Sequence, residues 1–281
     1  GLLKNFENEF PADPQLDMIK FSLGSYWFDN ANYEPALDVF NQIKTNHLYK
    51  SVRNEYYFKR GYCSMRVGNY EQSVQDFSKV FKSSANPYST PSRYYCGYVH
   101  YLNKDFDRAF SCFEKTMKDK RFAANSGYYA CECRFMQKEY DYVIDYGPDL
   151  YERLSPELKA NLARMVSESY FAKNDNYNAK KHLDLYLSGA GEVSRKDSYY
   201  AGVLSYSMGS YPAAIEAFKP VVSDTDEIGQ SAYYYSANSY LKHRNKLAAL
   251  KCFQSAASCD FDKEIKEDAM FNFVKLSLDF N

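Results

Sequence analysis

The chain has 281 residues, 45% of them hydrophobic and 25% charged, with a net charge of -1. That composition is globular and excludes wholesale disorder. Acidic and basic residues are interspersed with no basic run, which argues against nucleic-acid binding, and no apolar stretch approaches the ~20 residues that span a bilayer.

The chain opens on Gly1 instead of Met, which reads as a piece of a longer protein whose targeting segment lies elsewhere. Residues 2–14, LLKNFENEFPADP, read as the second helix of a preceding unit and its exit turn. The stretch from Leu23 to Phe40, LGSYWFDNANYEPALDVF, then reads as two amphipathic helices joined by a tight turn, and its skeleton returns six more times. A small residue in each first helix sets the register: Gly24, Gly61, Gly97, Cys131, Ser167, Gly202 and Ala237, with successive spacings of 37, 36, 34, 36, 35 and 35. Twelve residues on, a second mostly small slot recurs as Ala36, Ser73, Ala109, Val143, Ala179, Ala214 and Ala249. Four further comes a large apolar slot: Phe40, Phe77, Phe113, Gly147 (the exception), Leu183, Phe218 and Phe253.

Each slot has a physical reason. Antiparallel helices approach closely only where small side chains face each other, and a bulky ring one turn later fills the gap towards the next hairpin. No single hairpin buries its own apolar face, so stacking is obligatory. An aromatic marks the start of the second helix at Tyr33, Tyr70, Phe106, Tyr140, Tyr177 and Tyr211. By that marker the fifth and seventh units fall out of register by one residue at the turn. In the fourth unit, Gly147-Pro148 predicts a kink or stop, with irregularity over 141–162 and Ser155-Pro156 capping the next helix. Residues 263–281 read as a cap or the first helix of an eighth unit, with Ala269, Met270, Phe273 and Val274 on its pattern.

The order small residue, aromatic, turn, Tyr, Ala, Phe at about 34 residues resembles the tetratricopeptide repeat (TPR) family. GNYEQSVQDF (68–77) and GSYPAAIEAF (209–218) are similar to the family's second helix. The resemblance implies an all-α fold, a right-handed α-solenoid of about seven helical hairpins. As one array over 1–281, its units would lie near 16–50, 51–88, 89–122, 123–155, 156–192, 193–226 and 227–262. The FP-x-x-P turn of FENEFPADPQLDMIKFSLGSYWFDNANYEPALDVF resembles TPR proteins of bacterial periplasms that assist cell-envelope assembly.

Catalytic signatures are missing from the sequence: there is no GxxxxGK, HExxH or GxSxG, and the expectation is a non-enzymatic protein. Glu132 and Glu168 share one register slot and are read as solvated charges in preference to an acid–base pair. Seven cysteines, Cys63, Cys96, Cys112, Cys131, Cys133, Cys252 and Cys259, include no CxxC pair. The near neighbours Cys131 and Cys133 read as small residues filling a helix seam. No metal and no cofactor are expected.

Binding is the stronger reading. In this family the first helices line a concave groove, and positions three before, one after and four after the small slot project there or near its rim. The resemblance so implies a groove of Phe58, Tyr62, Tyr94, Tyr98, Tyr101, Tyr128, Glu132, Arg164, Glu168, Tyr199, Tyr206, Tyr234 and Asn238, joined by Met65, Phe135, Phe171, Val203 and Leu241. With 29 Tyr in the chain, the ladder is rich in rigid rings that grip a peptide or helix at low entropic cost. Lys and Asn, which clamp a chaperone's C-terminal carboxylate in some members, are replaced here by Phe58, Tyr62, Tyr94 and Tyr98. The reading is a protein-protein interaction scaffold for a protein or peptide partner, periplasmic or outer-membrane-associated in a bacterium, with a cytoplasmic site as the alternative. Glycan binding by Tyr and Trp27, in an envelope uptake system, is the second functional reading.

Overall fold

In a computed structural model, residues 9, 13–83, 85–189 and 191–278 are described. They form fifteen α-helices among the described residues, with one 3-10 segment and no strand. The chain divides into two compact units, residues 1–137 and 138–281. The first holds α1 (Gln15–Asp29), α2 (Tyr33–Asn41), α3 (Lys50–Arg66), α4 (Tyr70–Phe81), α5 (Ser89–Leu102), α6 (Phe106–Thr116) and α7 (Ala123–Met136). The second holds α8 (Tyr140–Tyr146), the 3-10 segment Pro148–Arg153, α9 (Pro156–Ala172), α10 (Asn176–Gly189), α11 (Arg195–Ser207), α12 (Tyr211–Phe218), α13 (Glu227–Lys242), α14 (Lys246–Ala257) and α15 (Lys263–Leu278). Within each unit consecutive helices pack against one another in chain order, the arrangement of an α-solenoid. No helix among the described residues is long and apolar enough to cross a membrane.

The packing slots are where the periodicity puts them. All seven residues of the second small slot are fully buried, as are Phe40, Phe77, Phe113, Phe218 and Phe253. The first slot must be small because those rings lie against it. A Cβ on Gly202 would stand 2.4 Å from Phe218 Cε1, and one on Gly24 2.6 Å from Phe40 Cε1. Just past α8, Gly147 stands where the ring would be. Its absent Cβ would stand 2.6 Å from the Val143 carbonyl and 2.8 Å from Val166 Cγ2. Pro148 follows, the helix ends at Tyr146, and the chain continues as the 3-10 segment. Ser155 caps α9 by accepting the Leu158 N–H at 3.4 Å, with Pro156 at its first position.

The turns correct one expectation. Seven residues after the small slot the backbone is left-handed in every hairpin: Ala31, Gly68, Lys104, Lys138, Asn174, Gly209 and Arg244, with φ between 57° and 83°. The next N–H closes a helix-ending bond to the carbonyl five residues back, as in Asn32 to Trp27, Asp175 to Tyr170 and Asn245 to Tyr240. That same residue is the N-cap of the second helix; Asn69, Asp105, Asp175 and Asn245 also accept a backbone N–H through their side chains. The fifth and seventh turns are therefore in register. What moves is the aromatic marker: Tyr177 sits one position inside α10 and is 76% exposed, and Lys246 opens α14 in its place. Only two of the seven left-handed positions hold Gly. An L side chain there costs about 1–2 kcal/mol, partly offset by the about 0.4–1 kcal/mol by which glycine favours the unfolded chain. Ala31→Gly is accordingly expected to stabilise the first hairpin by about 0.5–1 kcal/mol, read as a higher urea midpoint.

Candidate binding face of the first helices

The side chains three before the small slot turn towards the core ring of their own hairpin. Phe58 lies 6.2 Å from Phe77 between ring centroids, Tyr94 5.7 Å from Phe113, Tyr199 6.1 Å from Phe218 and Tyr234 6.1 Å from Phe253. Tyr94 and Tyr128 are only 9% and 6% exposed, so both present no more than an edge to solvent.

A slot that the sequence reading left out completes the packing. Two before the small residue, Tyr95 stacks on Phe77, Tyr129 on Phe113 and Tyr235 on Phe218, at interplanar angles of 26°, 19° and 12°. Phe77, Phe113 and Phe218 are thus each held between a ring from their own hairpin and a stacked face from the next. The signal was the recurrent Tyr-Tyr pair at 94–95, 128–129, 199–200 and 234–235. In the one departure, Tyr200 follows the Leu183 hairpin, meets Phe171 edge-on and shares a 2.9 Å hydrogen bond with the Ser167 hydroxyl.

The positions one and four after the slot behave differently. In the first unit Tyr62, Tyr98 and Tyr101 are half-buried. Their rings join a continuous aromatic run over α1, α3, α5 and α7. Tyr62 meets Phe28 at 5.6 Å and Tyr95 at 4.9 Å, Tyr95 meets Tyr94, and Tyr94 meets Tyr129. Tyr129 then meets Tyr98 at 5.5 Å and Tyr101 at 5.3 Å, with Tyr98 and Tyr101 stacked on each other. Tyr101 hydrogen-bonds to the Glu132 carboxylate, and burial first, then that negative charge, pushes its phenol pKa up. Tyr62 hydrogen-bonds to Arg66, whose guanidinium lies 4.8 Å from the Tyr33 ring centroid. Tyr33, read from sequence as a turn marker, is thereby a member of this face. Trp27, like Phe28 and Tyr33, packs against the first core cluster.

In the second unit the side chains at the −3, +1 and +4 positions are tied to neighbouring groups. Arg164 donates to Glu168 at 2.5 Å, so Glu168 is the acidic half of an ion pair. Tyr206 lies between Tyr211 at 5.9 Å and Tyr235 at 5.2 Å. Tyr199 hydrogen-bonds to Ser231. Tyr234 donates to Asp268 at 2.7 Å, and the Asn238 side chain hydrogen-bonds to Tyr234, its amide donating to the Tyr234 carbonyl at 3.1 Å. Burial and the Asp268 carboxylate together push the Tyr234 pKa up to about 12. The sequence-derived residues so fall into two sets, core-directed rings at the −3 position, with Arg164 the exception, and partly open groups at +1 and +4.

Helical hairpins with these slots, stacked in chain order, define the tetratricopeptide class of fold. The comparisons agree. The chain is similar to the C-terminal part of a TPR repeat-containing protein from Cytophaga hutchinsonii, at 15% identity and a TM-score of 0.65, over 89% of this chain and 98% of that one. It is also similar to YrrB, described as a TPR protein with an unusual peptide-binding site, at 16% identity and a TM-score of 0.57, over 73% and 99%. A third likeness is to PilW, a type IV pilus biogenesis factor, at 13% identity and a TM-score of 0.53, over 77% and 98%. No family model and no curated protein matches the sequence. The chain has the fold of the tetratricopeptide repeat proteins.

Proposed function

We propose that this protein is a non-enzymatic scaffold whose first-helix face in unit 1 holds a peptide or a helix of a partner protein. The observation that carries the reading is the run Tyr62, Tyr98 and Tyr101, half-buried and braced by Phe28, Tyr95 and Tyr129. Braced rings lose little side-chain entropy on binding, and their hydroxyl ends give hydrogen-bonding selectivity along an apolar strip. Arg66 and Glu132, held to Tyr62 and Tyr101, place one charge of each sign on the strip and would fix the direction of an asymmetric ligand. The peptide-binding site described for YrrB supports this reading. The likeness to the pilus biogenesis factor supports a role in assembly at a bacterial cell envelope.

Selection from a random peptide display library on the immobilised 281-residue chain tests the ligand class. Enriched peptides that bind in solution with a common aromatic or charged pattern are expected. Failure to enrich any peptide, together with saturable oligosaccharide binding to the same face, would replace the scaffold by a glycan-binding protein.

A further inference from the structure

The α5–α6 hairpin brings together two cysteines sixteen residues apart. Cys96, buried on α5, and Cys112, half-buried on α6, hydrogen-bond to each other through their thiols. The backbones are close at this level: a Cβ on Gly97, next to Cys96, would stand 2.8 Å from Cys112 Cβ. The second hairpin shows independently that these register positions face one another. There the equivalent residues are Arg60 and Asp76, joined by two 2.7 Å hydrogen bonds.

We propose that Cys96 and Cys112 are a reversible dithiol–disulfide pair, with Cys112 as the attacking thiol, Cys96 as the resolving thiol and a low-molecular-weight disulfide as the oxidant. A redox-active cysteine needs thiolate character, access to solvent and a second thiol within reach. Cys112 has all three. The hydrogen bond with Cys96, Arg93 and Lys115 hold its pKa below the ordinary thiol value against the opposing effect of burial. Burial raises Cys63, Cys131 and Cys133 to about 12 and Cys252 to about 11, which leaves them as inert thiols. The Cys112 thiolate attacks one sulfur of the oxidant disulfide, breaking its S–S bond and releasing one thiolate. Cys96 then gives up its proton and attacks Cys112 Sγ, releasing the second thiolate. Two protein thiols are oxidised, one external disulfide is reduced to two thiols, and the protons pass to the released thiolates. The bond closes a short loop across the hairpin that carries Tyr98 and Tyr101, and it needs no ligand on that face.

The test equilibrates the full chain in mixtures of reduced and oxidised glutathione, alkylates remaining thiols under denaturing conditions and maps tryptic peptides by mass. Two of the seven thiols are expected to escape alkylation. The peptides holding Cys96 and Cys112 are expected to be linked, and dithiothreitol to restore all seven. Cys96→Ser is expected to stop as a glutathione adduct on Cys112, and Cys112→Ser to show no bridge at Cys96. Recovery of every thiol from oxidising mixtures overturns the proposal. So does a stable glutathione adduct on wild-type Cys112, or a bridge formed between chains or with another cysteine.

Discussion

Phe218→Ala is expected to cost about 3–5 kcal/mol. The ring is fully buried and fills a three-sided site. Gly202 leaves room for it at the bottom, Tyr199 presents its ring 6.1 Å away, and Tyr235 stacks 6.2 Å above it from the following hairpin. Removing it strips contacts from both hairpins at once. Gly202 offers no side chain to collapse inward, so the cavity persists and the cost falls at the high end of the range. In a repeat array the loss is felt by nearest neighbours first. Hydrogen exchange should therefore show the largest loss of protection in α11–α13. Uniform loss along all helices, or a change below about 1.5 kcal/mol, would mean that Tyr199 and Tyr235 close the gap and that the ring is not the inter-hairpin plug.

Asp76→Ala is expected to cost about 3–5 kcal/mol, through the charge it leaves behind. Asp76 is fully buried and takes both of the short hydrogen bonds from Arg60, whose side chain is 14% exposed. The guanidinium also lies over Tyr56 at 5.1 Å and Tyr57 at 5.9 Å, so it cannot easily swing to water. The double change Arg60→Leu with Asp76→Val should recover most of the loss. It copies the apolar pair that the first hairpin places at the same two positions, Leu23 and Val39, and replacing a buried ion pair by fitting apolar groups is often neutral or better. Urea unfolding of the single and double variants gives the comparison. A double variant no more stable than Asp76→Ala would show that the ion pair itself stabilises the hairpin.

Much of this was legible in the residues, because packing between close helices leaves a compositional mark. Gly24, Ala36 and Phe40 set a register that holds in the structure through Ala237, Ala249 and Phe253. The stop at Gly147-Pro148 and the Ser155 cap were legible for the same reason, since both are local chemistry. The left-handed turn residue was not. It holds Lys104, Asn174 and Arg244 as readily as Gly68, so identity carries no sign of φ, and a shifted Tyr177 looked like a shifted turn. The Tyr95, Tyr129 and Tyr235 slot was hidden because Tyr-Tyr pairs place neighbouring rings on different faces, and composition alone does not say which faces inward. The same ambiguity put the nearly buried Tyr94 and Tyr128 beside the more open Tyr62, Tyr98 and Tyr101 in one groove set. Cys96 and Cys112 were overlooked in favour of Cys131 and Cys133 because nearness along the chain is not nearness across a hairpin.

On the proposed face, residues that hold hairpins together are distinct from residues that meet a ligand, and Tyr98 tests that separation most directly. Among the ring pairs described, its ring meets only Tyr101 and Tyr129. Calorimetric titration of a display-selected peptide into wild-type protein and into Tyr98→Ala, with melting curves of both, is the measurement. The expected result is affinity at least about tenfold weaker, or about 1.4 kcal/mol, with the melting temperature nearly unchanged. Equal affinity for the two proteins, or a large fall in melting temperature, would contradict it and return Tyr98 to the packing.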